Sequence, residues 1–365
     1  MRNTLTILSW AMMVAHGWSQ STLTVCNLPD CPSQYPTLAV AMQEANPGDI
    51  IQVMPSPLSY GDLTIDKAIT IQGGGHDPDP LSGTFPILGS LQVGASNIRI
   101  EGLRLESVEL IPNLGEVIAN VEILNNRFYG SGRFVDVGLA SSNDGTHSWN
   151  VQGNVMTPDA APNSTPIVVI SDRDSSWTIQ NNYIEQHWAF QRVIEGDSPD
   201  DGTHTLVFSH NLVYTGPSGA FTIAGGLDVA CSSNLFWVAD TAYSFEPTGE
   251  NGIDFINNLM YSPVSTLVNP DDVYDNLMNA QPLFADIEGG VPTWNVTSNF
   301  ALAAGSPGIG DGMDGSDVGL YGNLFAFNNR GVPAGIPALS SLSKTYDIVP
   351  LGEPLEIQVE WTVGQ

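Results

Sequence analysis

The sequence predicts an all-β chain wound as a parallel β-helix, and three observations predict it. The first is a repeated phrase, apolar-x-apolar-x-x-Asn-x-apolar, that returns every 23 to 29 residues and carries Asn126, Asn154, Asn182, Asn211, Asn234 and Asn258. A period of that length marks a solenoid of stacked units. The second is the alternation within each copy. The apolar residue three before the Asn position runs Ile71, Ile100, Ile123, Val151, Ile179, Phe208, Cys231 and Phe255. Two residues earlier stand Ile69, Ile98, Val121, Trp149, Trp177, Leu206, Val229 and Ile253, with mostly polar residues such as Thr70, Arg99, Glu122, Asn150, Thr178 and Asp254 between the columns. Period two means a strand with one face in and one face out. The third is composition: 37 Gly and 25 Pro with only 13% charged residues suit many short strands and turns rather than helices.

The elements follow in order. Arg2 and the apolar run Leu5–Ala15 read as a secretory signal over residues 1–20, with Ala15-x-Gly17 or Gln20 as cleavage positions. No other stretch approaches the eighteen or so apolar residues a membrane span needs, so the expected mature protein is secreted, with no transmembrane segment. Cys26 and Cys31 bracket the loop CNLPDC, and an oxidising compartment would let them form a local disulfide. Pro36–Ala45 places Leu38, Ala41, Met42 and Ala45 on one helical face and is stopped by Asn46-Pro47-Gly48. That helix would cover the open end of the first coil, whose bare edge would otherwise invite aggregation. Strands follow at 49–53 and 63–71.

In the coils, an inward-turned Asn at a bend can satisfy turn amides and pair with the Asn above and below. The six Asn are therefore read as a structural ladder. Cys231 stands where other coils place Ile, Val or Phe and reads as a buried free thiol. After Gly322 the pattern changes. Residues 323–365 are Pro-rich and end on alternating Leu355, Ile357, Val359, Trp361 and Val363, a strand-containing tail that either docks on the solenoid flank or begins an accessory module.

The run TLAVAMQEANPGDIIQV…LTIDKAITIQGGG resembles the N-terminal cap and first coils of secreted right-handed parallel β-helix proteins of the pectin-lyase-like superfamily. The stretch from Ala280, AQPLFADIEGG…NFALAAGSPGIGDGMDGSDVGLYG, resembles the closing segment of many bacterial members. The resemblance spans roughly residues 24–322. It implies a single-stranded right-handed β-helix over 21–322, and it leaves activity open, because that superfamily holds lyases, hydrolases, epimerases, adhesins and non-catalytic proteins.

Net charge narrows the partners. The chain stands at −29, and loss of Arg2 with the signal makes it one unit more negative. Such a field repels nucleic acid and polyanionic polymers unless cations mediate.

Function is sought in neighbouring coils that carry extra residues. Those beginning at Ile123, Val151 and Ile179 span 28, 28 and 29 residues, against 23 and 24 for those at Phe208 and Cys231. The extra residues carry Asn143-Asp144-Gly145-Thr146-His147, Asp172-Arg173-Asp174, Asp197 and Asp200-Asp201-Gly202-Thr203-His204. Asp136, His187, Trp188, Arg192 and Glu195 lie nearby. Three chemistries compete. Two of Asp136, Asp172, Asp174, Glu195 and Asp197 could act on a glycosidic bond, with Trp188 stacked on a sugar. Arg173 or Arg192 could instead abstract the proton beside a uronate carboxylate that Ca²⁺ neutralises. Or the loops are acidic turns of the kind Asp-Gly and Asn-Asp-Gly form. His187, Trp188, Asp201 and His204 are the binding candidates. His147 and His204 stand two coils apart, about 9–10 Å, too far for one metal ion. Asp311, Asp314 and Asp317 alternate with glycines as a candidate calcium loop, though the twelve-residue pattern with a terminal Glu is absent.

Two function classes result. The favoured one is a non-catalytic extracellular solenoid that contacts polysaccharide or a cell-surface glycan through the coils at 123–208, with Tyr183, Trp188, Trp237 and Trp294 as contacts if exposed. The other is a carbohydrate-active enzyme, a glycoside hydrolase or an Arg- and Ca²⁺-dependent lyase.

Overall fold

A computed structural model of the chain describes residues 20–77, 84–110, 117–130, 133–137, 147–158, 167–170, 175–186, 193–196, 204–215, 222–224, 229–239, 246–248, 253–270, 274–287, 290–325, 327–344 and 357–363. At 147, 169, 175, 196, 204, 222–224, 246–248, 337–344 and 357–363 the description is of the backbone alone. The expected signal, residues 1–20, falls outside these ranges save for Gln20.

Three all-parallel sheets carry the solenoid, and each full coil adds one strand to each. Among the described residues the first sheet has ten strands, from Thr22–Val25 through Ile98–Glu101 and Ser175–Gln180 to Ile253–Ile256. Its register is the repeat read from the sequence: Ile71, Ile100, Ile123, Val151, Ile179, Phe208, Cys231 and Phe255 lie side by side in one column. Leu23 and Ile51 extend the column toward the N-terminus. The whole column is buried, because period-two alternation turns it inward in every coil. Trp149 and Trp177, adjacent in the earlier column, stack at 5.2 Å with 9° between their planes.

A two-residue turn leads from the first sheet to the second, an eight-stranded sheet running from Arg104–Leu105 to Leu277–Met278. The first turn residue takes positive φ (Asn125, Gly153, Asn181, His210, Ser233, Asn257), and the second is the ladder Asn. The two-residue corner needs a left-handed first residue, a conformation that Gly and Asn enter most readily and that His210 and Ser233 also hold here. Each ladder Asn donates from Nδ2 to the carbonyl of the anchor residue in the coil before, as Asn182 does to Val151 at 2.9 Å. Its Oδ1 accepts from the backbone and side-chain amides of the preceding Asn; Asn211 Oδ1 accepts both from Asn182 at 3.0 Å. The ladder is longer than expected. Asn276 continues it, accepting from Asn258 N at 3.0 Å and donating to Phe255 O at 2.8 Å. The period of 18 from Asn258 lies outside the repeat window, although Asn258-Leu259-Met260 recurs as Asn276-Leu277-Met278.

The third sheet has eight strands, from Leu63–Ile65 to Glu246–Thr248. The single strand expected over 63–71 is two, Leu63–Ile65 in the third sheet and Thr70–Gln72 in the first, because the chain turns a corner at Asp66–Ala68. The capping helix spans Leu38–Glu44, with the Thr37 hydroxyl accepting from Val40 N at 3.3 Å. Lys67 finishes it from the far side: Nζ donates to the carbonyls of Met42, Gln43 and Ala45 at 2.7, 3.1 and 3.0 Å. These carbonyls have no partner inside a helix of this length. Leu38, Ala41 and Met42 join the core.

The outward row of the second sheet is not solvated. Val155, Tyr183, Leu212, Leu235 and Leu259 form a second apolar cluster with Phe300, Val318, Leu320 and Phe327 of the segment that follows the last coil. Tyr183 is fully buried, its hydroxyl donating to Pro292 O at 2.7 Å, and burial raises its pKa well above the ordinary tyrosine value. Tyr183 and Trp237 are therefore core residues, so the exposure on which their role as surface contacts depended is not met, and Trp294 is partly buried in the same cluster. Strands such as Leu235-Phe236-Trp237-Val238 are apolar throughout because both their faces are covered.

The chain then runs back over the Asn turns as a strap. Met313 N donates to Ser233 Oγ and Gly319 N to Ser233 O. Asn181 Nδ2 donates to Leu320 O and Gly322 O at 3.1 and 3.0 Å. Phe325 lies against Gly153, and Arg330 O accepts from His76 N at 2.9 Å, so the strap reaches the first coils. Beyond it, Pro337–Lys344 pairs antiparallel with Ile357–Val363. Cys26 and Cys31 are bonded, with their Cα atoms 6.1 Å apart, and Cys231 is a buried free thiol whose pKa burial pushes up.

Candidate functional site

The coils differ from one another on either side of the third sheet. Between the third sheet and the next first-sheet strand lie ten residues at 111–120, nine at 138–146 and seven at 197–203, but four at 171–174, 225–228 and 249–252; in the coil beginning at Val151 the extra length instead precedes the third sheet, with eleven residues at 157–167. The Asn turn is always two residues. Loop chemistry is thus concentrated at the two edges of the third sheet, and that sheet's outer face lies between them.

Register fixes what this face presents. Thr64, Gln92, Glu109, Asp136, Val169, Glu195 and Ala224 form one row across the strands. Asp136 and Glu195, both sequence candidates, fall in this row two strands apart, about 9–10 Å at the spacing of paired strands. Glu109 joins them, one strand from Asp136. It was missed because its strand, Ser107–Leu110, sits in a coil of ordinary length. The signal was present: Ser107-Val108-Glu109-Leu110 has the same alternation as Phe134-Val135-Asp136-Val137.

Inward residues of these strands, Val108, Val135, Val137, Val168 and Ile194, are buried, so the rigid core dictates where the carboxylates stand. Arg133 Nη1 lies 2.9 Å from Asp136 Oδ2, while Asp136 Oδ1 has no hydrogen-bond partner among the described residues. Ser107 Oγ donates to Glu109 Oε1 at 3.0 Å. Within the row Glu109 is held by Ser107 and Asp136 by Arg133, and apolar Val169 stands between Asp136 and Glu195.

Asp172, Arg173, Asp174, His187, Trp188, Arg192, Asp197 and Asp201 lie outside the described residues. In sequence they belong to segments that border strands Val168–Ile170 and Ile194–Gly196 of this sheet. His204 is described by its backbone alone; it begins a first-sheet strand and aligns two strands from His147.

The acidic loop at 311–317 sits elsewhere, on the strap. Asp314 Oδ1 accepts from Ser316 N at 3.0 Å and from Ser316 Oγ at 2.6 Å, and lies 3.5 Å from His210 Nε2. Burial raises the Asp314 pKa, but the Ser316 donors and His210 outweigh it and hold it below the ordinary carboxylate value. Asp317 Oδ1 accepts from Gly310 N at 3.0 Å. Burial, then the neighbouring Asp275, raises Asp311. The three carboxylates serve different partners, and among the described residues no group of three or more His, Cys, Asp or Glu is placed to hold a metal ion.

A shallow groove of about 550 Å³ crosses the outer face of the first sheet. It is crossed by Arg99, whose Nε meets Glu101 at 2.7 Å and whose Nη1 meets Glu122 at 3.3 Å, and bordered by Asn120, Asn150 and Thr178. Neither a family model nor a curated protein matches this chain. Among the described residues no helix is long and apolar enough to cross a membrane.

Proposed function

We propose that the protein is an extracellular β-helix that binds an uncharged polysaccharide or cell-surface glycan across the outer face of its third sheet. The observation that carries this reading is the row Glu109–Asp136–Val169–Glu195, rigidly spaced by the coil repeat and bordered by the loop segments of the coils at 123–208. Carboxylates and amides at a regular spacing accept hydrogen bonds from successive hydroxyl groups of an extended sugar chain. The formal charge of −29 disfavours a polyanionic ligand at such a face. The Arg133 ion pair engages Asp136, which suits a binding group better than a nucleophile.

Membership of the pectin-lyase-like superfamily is part of the same proposal; the capping helix, the three sheets and the Asn ladder support it. The Cys26–Cys31 disulfide supports export to an oxidising compartment.

A second reading is favoured by spacing. Carboxyl groups about 5–5.5 Å apart serve retaining glycosidases and about 6.5–9.5 Å inverting ones. Glu109 and Asp136 stand one strand apart, and Asp136 and Glu195 two. One experiment separates the readings. The purified protein is incubated with a polysaccharide panel, with and without Ca²⁺, while retention on the polymer, new reducing ends and unsaturated-uronate absorbance are followed. Retention with neither product supports binding. New reducing ends alone assign a hydrolase, absorbance assigns a lyase, and the absence of all three rejects the glycan proposal.

A further inference from the structure

His76 is completely buried at the point where the strap reaches the first coils. Its backbone N–H donates to Arg330 O at 2.9 Å, and its ring lies directly beneath Gly331. A Cβ at Gly331 would run into the ring edge that carries Cδ2 and Nε2, and Gly331 itself sits at φ +62°. Trp294 closes the other side, with ring centroids 6.2 Å apart and planes at 60°. The imidazole thus packs directly against the strap backbone at Gly331.

The charged neighbours can be named element by element. Asp77, next in the chain, places Oδ2 3.1 Å from Nδ1, off the line of a hydrogen bond. Arg127 of the second sheet reaches the other Asp77 oxygen with Nη1 at 3.7 Å. Arg104, its neighbour in that sheet, adds a second positive charge and is held over the rings of Phe85 and Tyr129 at 4.7 and 4.9 Å. From the strap, Arg330 presents its carbonyl, already engaged by the His76 amide. Trp294 brings no charge. Nε2 has no acceptor among the described residues.

From this geometry we infer that His76 is an acid-sensitive pin: neutral, it holds residues 330–333 of the strap on the first coils, and protonated it lets them go. An imidazolium here would carry an N–H at Nε2 facing Gly331 with nothing to accept it. It would also stand near two guanidinium groups and compete with Arg127 for Asp77. Burial, the largest effect, and the two arginines lower the ring's pKa, and Asp77 opposes them without prevailing. The folded value therefore lies below the ordinary value of about 6.5. A base whose folded pKa is depressed stabilises the fold fully above its unfolded pKa and loses that contribution as pH falls through the folded value. The window of release is thus below about pH 6.5. The inference does not depend on the glycan reading.

Hydrogen exchange of the full-length protein, followed between about pH 7.5 and 5 and corrected for intrinsic rates, tests it. From about pH 6.5 down to the folded His76 pKa, the opening constant of residues 328–334 should rise about tenfold per pH unit and then level off, as one-proton linkage requires. The ladder strands around Asn154 and Asn182 should not follow. His76→Phe should keep the strap protected at neutral pH and abolish the acid response; His76→Gln serves if the phenylalanine variant does not fold. Titration of the His76 ring by NMR gives a measurement that needs no variant. A ring pKa at or above the ordinary value, a strap that stays closed in acid, or an unchanged acid response in the neutral variants would overturn the inference.

Discussion

The Asn turn and the edges of the third sheet are two corners of the same coil, and they follow opposite rules. The turn has two residues in every coil from Gly102–Leu103 to Asn257–Asn258, is hydrogen-bonded along the solenoid axis, and is covered by the strap. The third-sheet edges change length from coil to coil. A buried corner must satisfy its backbone groups from inside the protein, so its length holds in every coil and its second residue is Asn from Asn126 onward. A solvated corner has water as a partner and can vary freely. Stability is therefore concentrated at one corner, which leaves the other free to carry binding chemistry.

The largest expected effect comes from breaking the invariant corner. Asn182→Leu keeps the branching of the side chain but strands the Asn154 N–H and the Val151 carbonyl, both buried. At about 1–3 kcal/mol for each unsatisfied group, the loss should be about 3 kcal/mol, read from the midpoint of denaturant unfolding. An unmoved midpoint would dismiss the ladder as a stabilising element. Asn276→Leu, at the partly buried end of the ladder, should cost about 1 kcal/mol, and the ratio of the two measures how burial scales the effect.

Next in size is Gly153→Ala. Gly153 holds φ +70°, and an added Cβ would come within 2.6 Å of Phe325 and of Asn125 Oδ1. The left-handed strain alone costs about 1 kcal/mol. The distinctive outcome is local: hydrogen exchange should quicken in the strap around Phe325 before it quickens in the first sheet. If the two quicken together, the strap is not an independently opening layer over the turns.

Lys67→Met tests whether the solenoid end obeys the buried rule. Three helix carbonyls lose their donor, and the capping helix should lose about 1–2 kcal/mol of local stability. The effect should be confined to residues 38–53 and leave exchange beyond Ile71 unchanged.

How much of this was legible follows the same division. The inward columns and the ladder could be read because each position faces the same neighbours in every coil, so one residue type recurs at a fixed interval. Asn276 escaped because the chain after the last full coil takes a shorter route to the same corner. The strap escaped because its contacts are backbone carbonyls and glycines, such as Gly322 against His210 and Gly331 against His76, whose partners lie about a hundred residues or more away and leave no periodic mark. The exposure of Tyr183 and Trp237 stayed open in the sequence for the same reason: a continuous apolar strand announces a covered outer face but does not say what covers it. At the site, Asp136 and Glu195 were legible as candidates, but only register shows that they share a row with Glu109.

The smallest expected effect on stability belongs to the third-sheet row, and its smallness is the point. Asp136 and Glu195 are partly exposed and lie outside the ladder and the apolar core. Asp136→Asn removes one partly exposed ion pair with Arg133, and Glu195→Gln removes a charge from a chain already at −29. Exposed pairs are worth about 0–1 kcal/mol, and relieving like-charge repulsion partly offsets that. Unfolding midpoints should hardly move. Retention on the polysaccharide identified by the panel should fall at least tenfold in Glu195→Gln, since an amide replaces one acceptor oxygen with a donor while preserving shape. A variant that lost stability but kept its ligand would move the binding surface off this sheet, and the groove beside Arg99 and Glu122 would become the face to test.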